Sequence, residues 1–268
     1  MNSKKIVYNQ IGHSYDTARK ADPEIADKLV ELLQVQANKA YLDMGCGSGN
    51  YTVALFQREV NICGLDISQT MLNQARQKQP TIVWHEADAA AMPFADANFA
   101  GIISVLATHH MHDLPAALKQ AYRVLQTGRL VIFTATPEQM QHYWLQHYFP
   151  KMMQNCSEKM LDFAGFAKLL KSAGFTSVKQ IPYYITDKTQ DKFLHAGKYS
   201  PQIYLDEKIR NANSGFKLFA DQVELPLGLE KLAADIKSGQ IEEIIKKYEH
   251  EGGDYCYIVA EKPNPHEF

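Results

Sequence analysis

The stretch YLDMGCGSGN at residues 41–50 has the residue types of a ligand-binding turn. Asp43 precedes three glycines at alternate positions, Gly45, Gly47 and Gly49. Glycine adopts backbone angles that other residues avoid, and it lets a ligand lie directly against the main chain. A helix that begins after such a turn also points its free amide groups at the ligand. The stretch therefore favours a nucleotide-like ligand, although a glycine turn that binds nothing is the simpler alternative.

The spacing of the glycines argues against two common nucleotide motifs. A dinucleotide fingerprint, GxGxxG, would need glycine at the position of Asn50. A phosphate-binding loop would need GK[ST], and no such triplet follows the glycines. An NAD-type oxidoreductase and a P-loop enzyme are therefore both disfavoured.

Two further acids stand at the ends of apolar stretches. Asp66 lies in GLDIS, seventeen residues after Gly49, and Asp88 lies in HEADAAAMPF. A carboxylate in the place of Asp66 accepts both hydroxyls of a ribose and favours an adenosine without a 2′-phosphate. A helix-capping role is the alternative, and Ser68 could share it. Three acids that end three consecutive strands, Asp43 included, indicate one binding edge.

The segment THHMHD offers candidates for acid–base chemistry. His109 and His110 are the first candidates for a general base, with His112 nearby. A metal site with Asp113 is the second interpretation, but it needs three or four converging ligands, and adjacent residues in a turn diverge. Packing at the start of a helix is the third. We expect no metal here.

Alternating strands and helices must position these residues. The apolar runs KAYLDMG, NICGLDIS, TIVWHEAD, FAGIISVLA and RLVIFTA predict strands, and YTVALFQRE, SQTMLNQARQKQ and LPAALKQAYRVLQ predict helices. A further helix is predicted within residues 20–37, where Asp22 caps a turn that contains Pro23. FTSVKQIPYYI and DYCYIVAEK predict two more strands. The fold class is therefore α/β, a Rossmann-like doubly wound and mostly parallel sheet of about seven strands.

About 65 residues separate the last two predicted strands. They are polar and helical in pattern, and such a length is too great for a simple connection in a compact sheet. We interpret them as a helical cap over the pocket. Composition adds little: 28 Lys and Arg against 30 Asp and Glu give no reason to expect a nucleic-acid partner. Without a signal-peptide core or an apolar run of spanning length, and with four scattered cysteines, we expect a cytoplasmic protein that does not insert into membranes.

The motifs taken together resemble a known family. YLDMGCGSG, GLDIS, EADAAAMPFADANFAGIIS and AYRVLQTGRLVIF are similar to class I S-adenosylmethionine-dependent methyltransferases. The similarity is to the small-molecule branch that includes the ubiquinone/menaquinone-type and trans-aconitate-type enzymes, and it covers residues 8–135. It implies four regions: N-terminal lid helices at 1–40, a cofactor-binding core at 41–185, the cap at 186–250, and a final strand with the tail at 251–268.

The resemblance also implies roles for individual residues. The methionine part of S-adenosylmethionine would be bound by Asp43, Gly45 and Gly47, and its ribose by Asp66. The adenine would contact Ile67, Asp88 and Ala89, while Gly49 and Val105 would also bind the cofactor. Tyr8, Tyr15 and Arg19 in YNQIGHSYDTARK would close the lid.

The reaction that the resemblance implies is in-line (SN2) transfer of a sulfonium methyl group to a small organic acceptor. Proximity and orientation supply much of the rate enhancement, and a base helps when the acceptor carries a proton. His142 and Tyr143, in QHYWLQHYF, are candidates for the substrate wall, with core packing as the alternative. We expect a monomer or a weak homodimer. A protein that holds S-adenosylmethionine or S-adenosylhomocysteine without turnover remains the alternative function.

Overall fold

A seven-stranded sheet forms the centre of the molecule, for which a computed structural model describes residues 18–264. The strands are β1 (Tyr41–Met44), β2 (Ile62–Asp66), β3 (Trp84–Glu86), β4 (Phe99–Val105), β5 (Leu125–Thr134), β6 (Ser177–Tyr183) and β7 (Tyr255–Lys262). The helices up to β6 are α1 (Pro23–Leu33), α2 (Asn50–Phe56), α3 (Gln69–Lys78), α4 (Leu114–Val124), α5 (Pro137–Gln141), α6 (Pro150–Ser157) and α7 (Phe163–Ala173). Four more helices lie between β6 and β7, namely α8 (Glu207–Asn211), α9 (Ser214–Phe219), α10 (Glu224–Ser238) and α11 (Ile241–Lys247).

The strand order is β3-β2-β1-β4-β5-β7-β6. The first five strands pair in parallel, whereas β7 runs antiparallel to both of its neighbours, β5 and β6. The direction of strand addition reverses between β1 and β4, and ligands of open α/β sheets bind outside the carboxyl ends of strands at such a point. The predicted fold class, a Rossmann-like and mostly parallel sheet of seven strands, is confirmed.

Helix α1 shows how local sequence signals set the boundaries. The Asp22 carboxylate accepts hydrogen bonds from the backbone amides of Glu24 at 3.0 Å and Ile25 at 3.2 Å, and Pro23 occupies the first turn. Proline is suited to that place because the first helical amides have no partner within the helix. Gln34 then ends the helix in a left-handed conformation with φ of 53°.

Both faces of the sheet are covered. Helices α4 and α7 pack on one face through residues such as Leu118 and Phe166. Helix α1 packs on the other face, together with much of the chain that follows β5. Strand β4 is nearly all apolar because it lies at the centre and is buried on both sides.

Strand β3 is shorter than its apolar run suggests. TIVWHEAD predicts eight residues, but only Trp84–Glu86 pair with β2. β3 is an edge strand, so its pairing with β2 alone sets the extent of the strand. None of the helices within residues 18–264 combines the length and the apolar character that crossing a membrane requires.

Candidate functional site

A cavity opens at the carboxyl ends of β1, β2 and β4, where the strand order reverses. On the sheet side it is lined by Asp43, Gly45, Cys46, Gly47, Ser48, Leu65, Asp66, Ile67, Asp88, Ala89, Val105, Leu106, His109 and His110, among others. On the opposite side it is lined by residues from α5, α6, the segment after β6 and α9. The glycine turn, the three strand-end acids and all three histidines of THHMHD, including His112, therefore share one cavity.

The glycines of the turn serve two different purposes. Gly47 has φ of 54°, and a Cβ at this position would meet nothing within 4 Å, so its backbone faces open space. Gly49 has φ of 77°, and a Cβ there would lie 2.5 Å from the Trp84 ring. Gly49 does not line the cavity. Gly47 thus exposes main chain to a ligand, whereas Gly49 lets the start of α2 pack against β3.

Asp43 is a buried acid with one unused oxygen. Its side chain is in β1 with 2% of the residue exposed, and one carboxyl oxygen accepts a hydrogen bond from Thr52 Oγ1 at 2.7 Å. The other oxygen has no hydrogen-bond partner within the described chain. Loss of solvent raises the pKa of Asp43 to about 7, although the Thr52 hydrogen bond opposes that shift and nearby Asp66 adds to it. A cation beside the free oxygen would stabilise the charged carboxylate.

Asp66 ties the end of β2 to the glycine turn. Its two carboxyl oxygens accept hydrogen bonds from the backbone amides of Gly47 and Ser68, each at 2.8 Å. Burial raises the pKa of Asp66, and these amide hydrogen bonds act in the opposite direction. The carboxylate is therefore held in a fixed orientation at the cavity wall.

Asp88 holds the start of a short 3-10 turn, Ala89–Ala91. One of its oxygens accepts from the Ala90 amide at 2.9 Å, and the other lies 3.2 Å from His112 Nδ1. Through this contact the exposed His112 connects the loop after β4 to the loop after β3. This contact gives His112 a structural partner that the sequence does not reveal.

His109 and His110 follow β4 in a second 3-10 turn, Thr108–His110. Both side chains line the cavity, and their ring centroids are 3.8 Å apart. Asp113 instead caps α4, where its carboxylate accepts from the Ala116 amide at 2.9 Å. Within residues 18–264, no group of three or more His, Cys, Asp or Glu side chains is arranged to hold a metal ion.

A buried polar cluster closes one side of the cavity. Arg19 donates to both carboxylate oxygens of Asp191, at 2.6 Å and 3.1 Å, and Tyr51 donates to Asp191 at 3.1 Å. Burial, together with the Asp191 charge, raises the pKa of Tyr51, so its hydroxyl keeps its proton. Asp191 belongs to the region after β6, and no pattern in the sequence connects it with Arg19.

The two aromatic-cluster candidates lie away from this cavity. Tyr143 is 3% exposed, and its hydroxyl donates to the His195 carbonyl at 2.8 Å and contacts the Tyr204 hydroxyl at 2.8 Å. Its ring stacks on His195 with a centroid separation of 3.9 Å. His142 is exposed, and its ring lies 4.8 Å from the His250 ring, tilted by 38°. Tyr143 therefore packs in the core of the region between β5 and β7, while Tyr8 and Tyr15 lie outside the described residues.

Comparison with known proteins finds sequence similarity over the first five strands of the sheet. The profile of a family described as "Methyltransferase domain" matches residues 42–133. The chain is 34% identical over 127 residues to a malonyl-[acyl-carrier protein] O-methyltransferase of Pseudescherichia vulneris, which covers 47% of this chain and 51% of that protein. It is 33% identical over 132 residues to a 2-phytyl-1,4-naphtoquinone methyltransferase of Thermosynechococcus vestitus, covering 44% of this chain and 59% of that protein.

A solved structure matches almost the whole chain. It is a protein from Anabaena variabilis assigned to the methyltransferases of an antibiotic biosynthesis pathway, with 28% identity and a TM-score of 0.82. The match covers 91% of this chain and 98% of that one. The curated relatives, by contrast, are matched over only about half of their own length.

Proposed function

We propose that this chain, whose residues 42–133 match a methyltransferase family, is a class I S-adenosylmethionine-dependent methyltransferase that transfers a methyl group to a small organic acceptor. The observation that carries the proposal is the free, buried oxygen of Asp43 beside an open glycine turn, in one cavity with two more strand-end acids. Those groups fit a ligand with an ammonium group, a ribose and an aromatic base.

The residues that would hold S-adenosylmethionine follow from these contacts. The Asp43 oxygen without a partner would accept from the ammonium group, with Gly45 and Gly47 backbone against the methionine part. Asp66, already oriented by two amides, would accept from the ribose hydroxyls. Asp88 would accept from the adenine amino group, and Ile67, Ala89 and Val105 would pack around the ring.

The bound cofactor supplies a sulfonium methyl group, which is already electrophilic. The protein's own contribution is to hold the acceptor in line with the S–CH₃ bond and to keep water out. When the acceptor carries a proton, His109 or His110 would remove it, because both side chains line the cavity. Arg19, held by Asp191, would close the cavity on the side of the N-terminal segment.

The wider organisation is part of the same proposal. Residues 186–250 would act as a cap over the core formed by residues 41–185 and the strand near the C-terminus. Of residues 1–40, the segment before α1 would act as the lid, because α1 itself packs on the sheet. Supporting the cap, residues of α9 line the cavity opposite the strand ends. We propose a monomer or weak homodimer that acts in the cytoplasm, consistent with four free cysteines.

Calorimetric titration tests the proposal. S-adenosylmethionine and S-adenosylhomocysteine should bind in the micromolar range and NAD⁺ should not. Asp66→Ala should abolish that binding, whereas Asp187→Ala, an exposed acid outside the cavity, should not change it. Absence of binding by both sulfur compounds would refute the cofactor assignment.

Turnover needs a second experiment, a screen of small acceptors that follows formation of S-adenosylhomocysteine. For an acceptor that must lose a proton, we expect His109→Gln or His110→Gln to lower turnover by about 10²–10⁴. Binding of S-adenosylhomocysteine should be retained in both variants. Equal turnover in wild type and in both variants would exclude the histidines as the base.

A further inference from the structure

One part of the cavity wall is formed by residues outside the proposed cofactor set. It comes from α5, the end of α6 with the turn after it, residues 191–194 and α9. This wall is mostly apolar, and its apolar members include Met140, Cys156, Met160, Phe193, Leu194 and Leu218. We call it the apolar wall. Its composition sets which acceptors the cavity takes.

The apolar wall is held in place by close packing. Phe193 is 2% exposed, and its ring contacts the Tyr255 ring edge-on at 4.8 Å between centroids. A Cβ on Gly215 would lie 3.0 Å from Cys156 Sγ and 3.2 Å from Leu194 Cδ2, so α9 lies directly against α6. A surface held this firmly binds apolar ligands without having to rearrange, and the removal of apolar ligand surface from water favours their binding.

Two polar side chains of this wall, those of Asp191 and Asn213, already have partners. Asp191 is the one carboxylate among the described cavity-lining residues apart from the three at the strand ends, and Arg19 and Tyr51 bind it. The Asn213 amide donates to the carbonyls of Lys192 and Ile209, each at 2.9 Å. A cationic ligand would therefore find no uncompensated carboxylate on this wall, and burying an unpaired charge is costly.

Lys159 adds a positive charge at the edge of the wall. Its side chain lines the cavity but is exposed, so it stands where the cavity meets solvent. Within residues 18–264, it forms no ion pair with a carboxylate. It would attract an anionic group on a bound molecule and repel a cationic one.

We infer that the apolar wall binds an apolar acceptor that is neutral or anionic, and not a cationic amine. The inference rests on the proposed function in that the bound molecule is taken as the methyl acceptor. The binding preference itself follows from the wall and is measurable without methyl transfer.

Three eight-carbon probes test the preference: octanoate, octan-1-ol and octylamine, each titrated by calorimetry with and without saturating S-adenosylhomocysteine. Octanol and octanoate should bind, and octylamine should bind more weakly than octanoate. Lys159→Met should weaken the binding of octanoate by about twofold to fivefold, strengthen the binding of octylamine, and leave the binding of octanol unchanged. Lys151→Met is the matched control, because Lys151 is an exposed lysine of α6 that does not line the cavity.

A second pair of variants locates the binding. Leu218→Asn should weaken all three probes by about threefold to tenfold, because Leu218 is 39% exposed and lines the cavity. Leu227→Asn should change none of them, because Leu227 is 60% exposed on α10 and lies outside the cavity. Both leucines are exposed enough that neither change should unfold the protein.

The outcomes separate this inference from the proposed function. The inference would be overturned if octylamine binds as tightly as octanoate, or if Leu218→Asn leaves the affinity of the probes unchanged. It would also be overturned if none of the probes binds. If S-adenosylhomocysteine binds in that case, the proposed function stands. Conversely, if S-adenosylhomocysteine does not bind but the probes behave as expected, the cofactor assignment fails and the preference of the wall is retained.

Discussion

Arg19 Nε lies 2.6 Å from the Asp191 carboxylate, and 172 positions of sequence separate the two residues. Their side chains are only 9% and 2% exposed. The chain around them is joined a second time, because the Asp22 carboxylate accepts from the Gln190 amide at 2.7 Å. The segment before α1 is thereby held against the segment after β6 at the wall of the cavity.

Breaking this ion pair should destabilise the protein. Asp191→Asn leaves the Arg19 guanidinium buried without a counter-charge, and we expect the free energy of unfolding to fall by about 3–5 kcal/mol. Urea denaturation followed by circular dichroism measures the change. Asp187→Asn, an exposed acid four residues earlier, should change it by less than about 0.5 kcal/mol.

A double variant checks the cause. Arg19→Met with Asp191→Leu removes both charges, so its loss of stability should be smaller than that of Asp191→Asn alone. If the double variant is as unstable as the sum of the two single variants, the ion pair is not the source of the effect.

The pKa of Asp43 predicts how stability depends on pH. Burial raises this pKa from 3.8 to about 7 in the folded protein, so the folded state binds the proton more tightly than the unfolded state. The contribution of Asp43 to stability is therefore lost progressively as pH rises from about 4 to about 7. Asp43→Asn should remove this slope and, above about pH 7, should be more stable than wild type by a few kcal/mol, at about 1.4 kcal/mol per pKa unit.

Unfolding curves of the protein without ligand, recorded at intervals from acid to weakly alkaline pH, measure that slope. Thr52 can still donate to the amide oxygen of the asparagine, so the variant keeps the hydrogen bond seen at 2.7 Å. An unchanged slope in Asp43→Asn would mean that the carboxyl titrates normally in the folded protein.

Binding of S-adenosylhomocysteine should also depend on this carboxyl. An ammonium group beside Asp43 favours the ionised form and lowers its pKa, so binding releases a proton and tightens as pH rises toward about 7. Calorimetry in two buffers of different ionisation enthalpy counts the proton. In Asp43→Asn the proton release should disappear, and if it persists another group is responsible.

Substitution of Gly47 and of Gly49 should affect cofactor binding and stability to different degrees. Gly47→Ala adds a methyl group in open space, so stability should fall only by the strain of a positive φ, about 1–2 kcal/mol, while cofactor binding is lost. Gly49→Ala drives a methyl group into the Trp84 ring and should lower stability more. Thermal melts and titration with S-adenosylhomocysteine distinguish the two, and a Gly47→Ala variant that binds normally would contradict the assignment of this backbone.

The sheet side of the site was predictable because its determinants are local in sequence. Asp43, Asp66 and Asp88 each end or closely follow a strand, and parallel strands bring their carboxyl ends to one edge, so the sequence pattern alone places them together. Gly49 shows the limit of such reasoning. Its role in packing against Trp84 depends on a neighbouring strand that the motif does not contain.

The opposite side of the site was not predictable in the same way. Asp191, Lys159 and Leu218 reach the cavity through the tertiary path of the chain after β5, and none of them stands in a periodic pattern that indicates a ligand. Tyr143 shows the opposite case. As an aromatic residue after the fifth strand it is a reasonable candidate for the substrate wall, yet its ring packs against His195 away from the cavity. Whether such a residue lies in the cavity wall or in the core depends on side-chain packing, which the sequence pattern does not contain.

The place of β7 has a consequence for how the protein is made. Because β7 lies between β5 and β6, β6 has no partner strand and β5 pairs only with β4 until residues 255–262 have left the ribosome. Until then the nascent chain displays the open edge of the largely apolar β5 and an entirely unpaired β6. Such edges invite pairing between chains. Ribosomes that stall just before β7 should thus yield an aggregation-prone intermediate that depends on chaperones. Synthesis of the last strand then allows β5 and β6 to pair with β7.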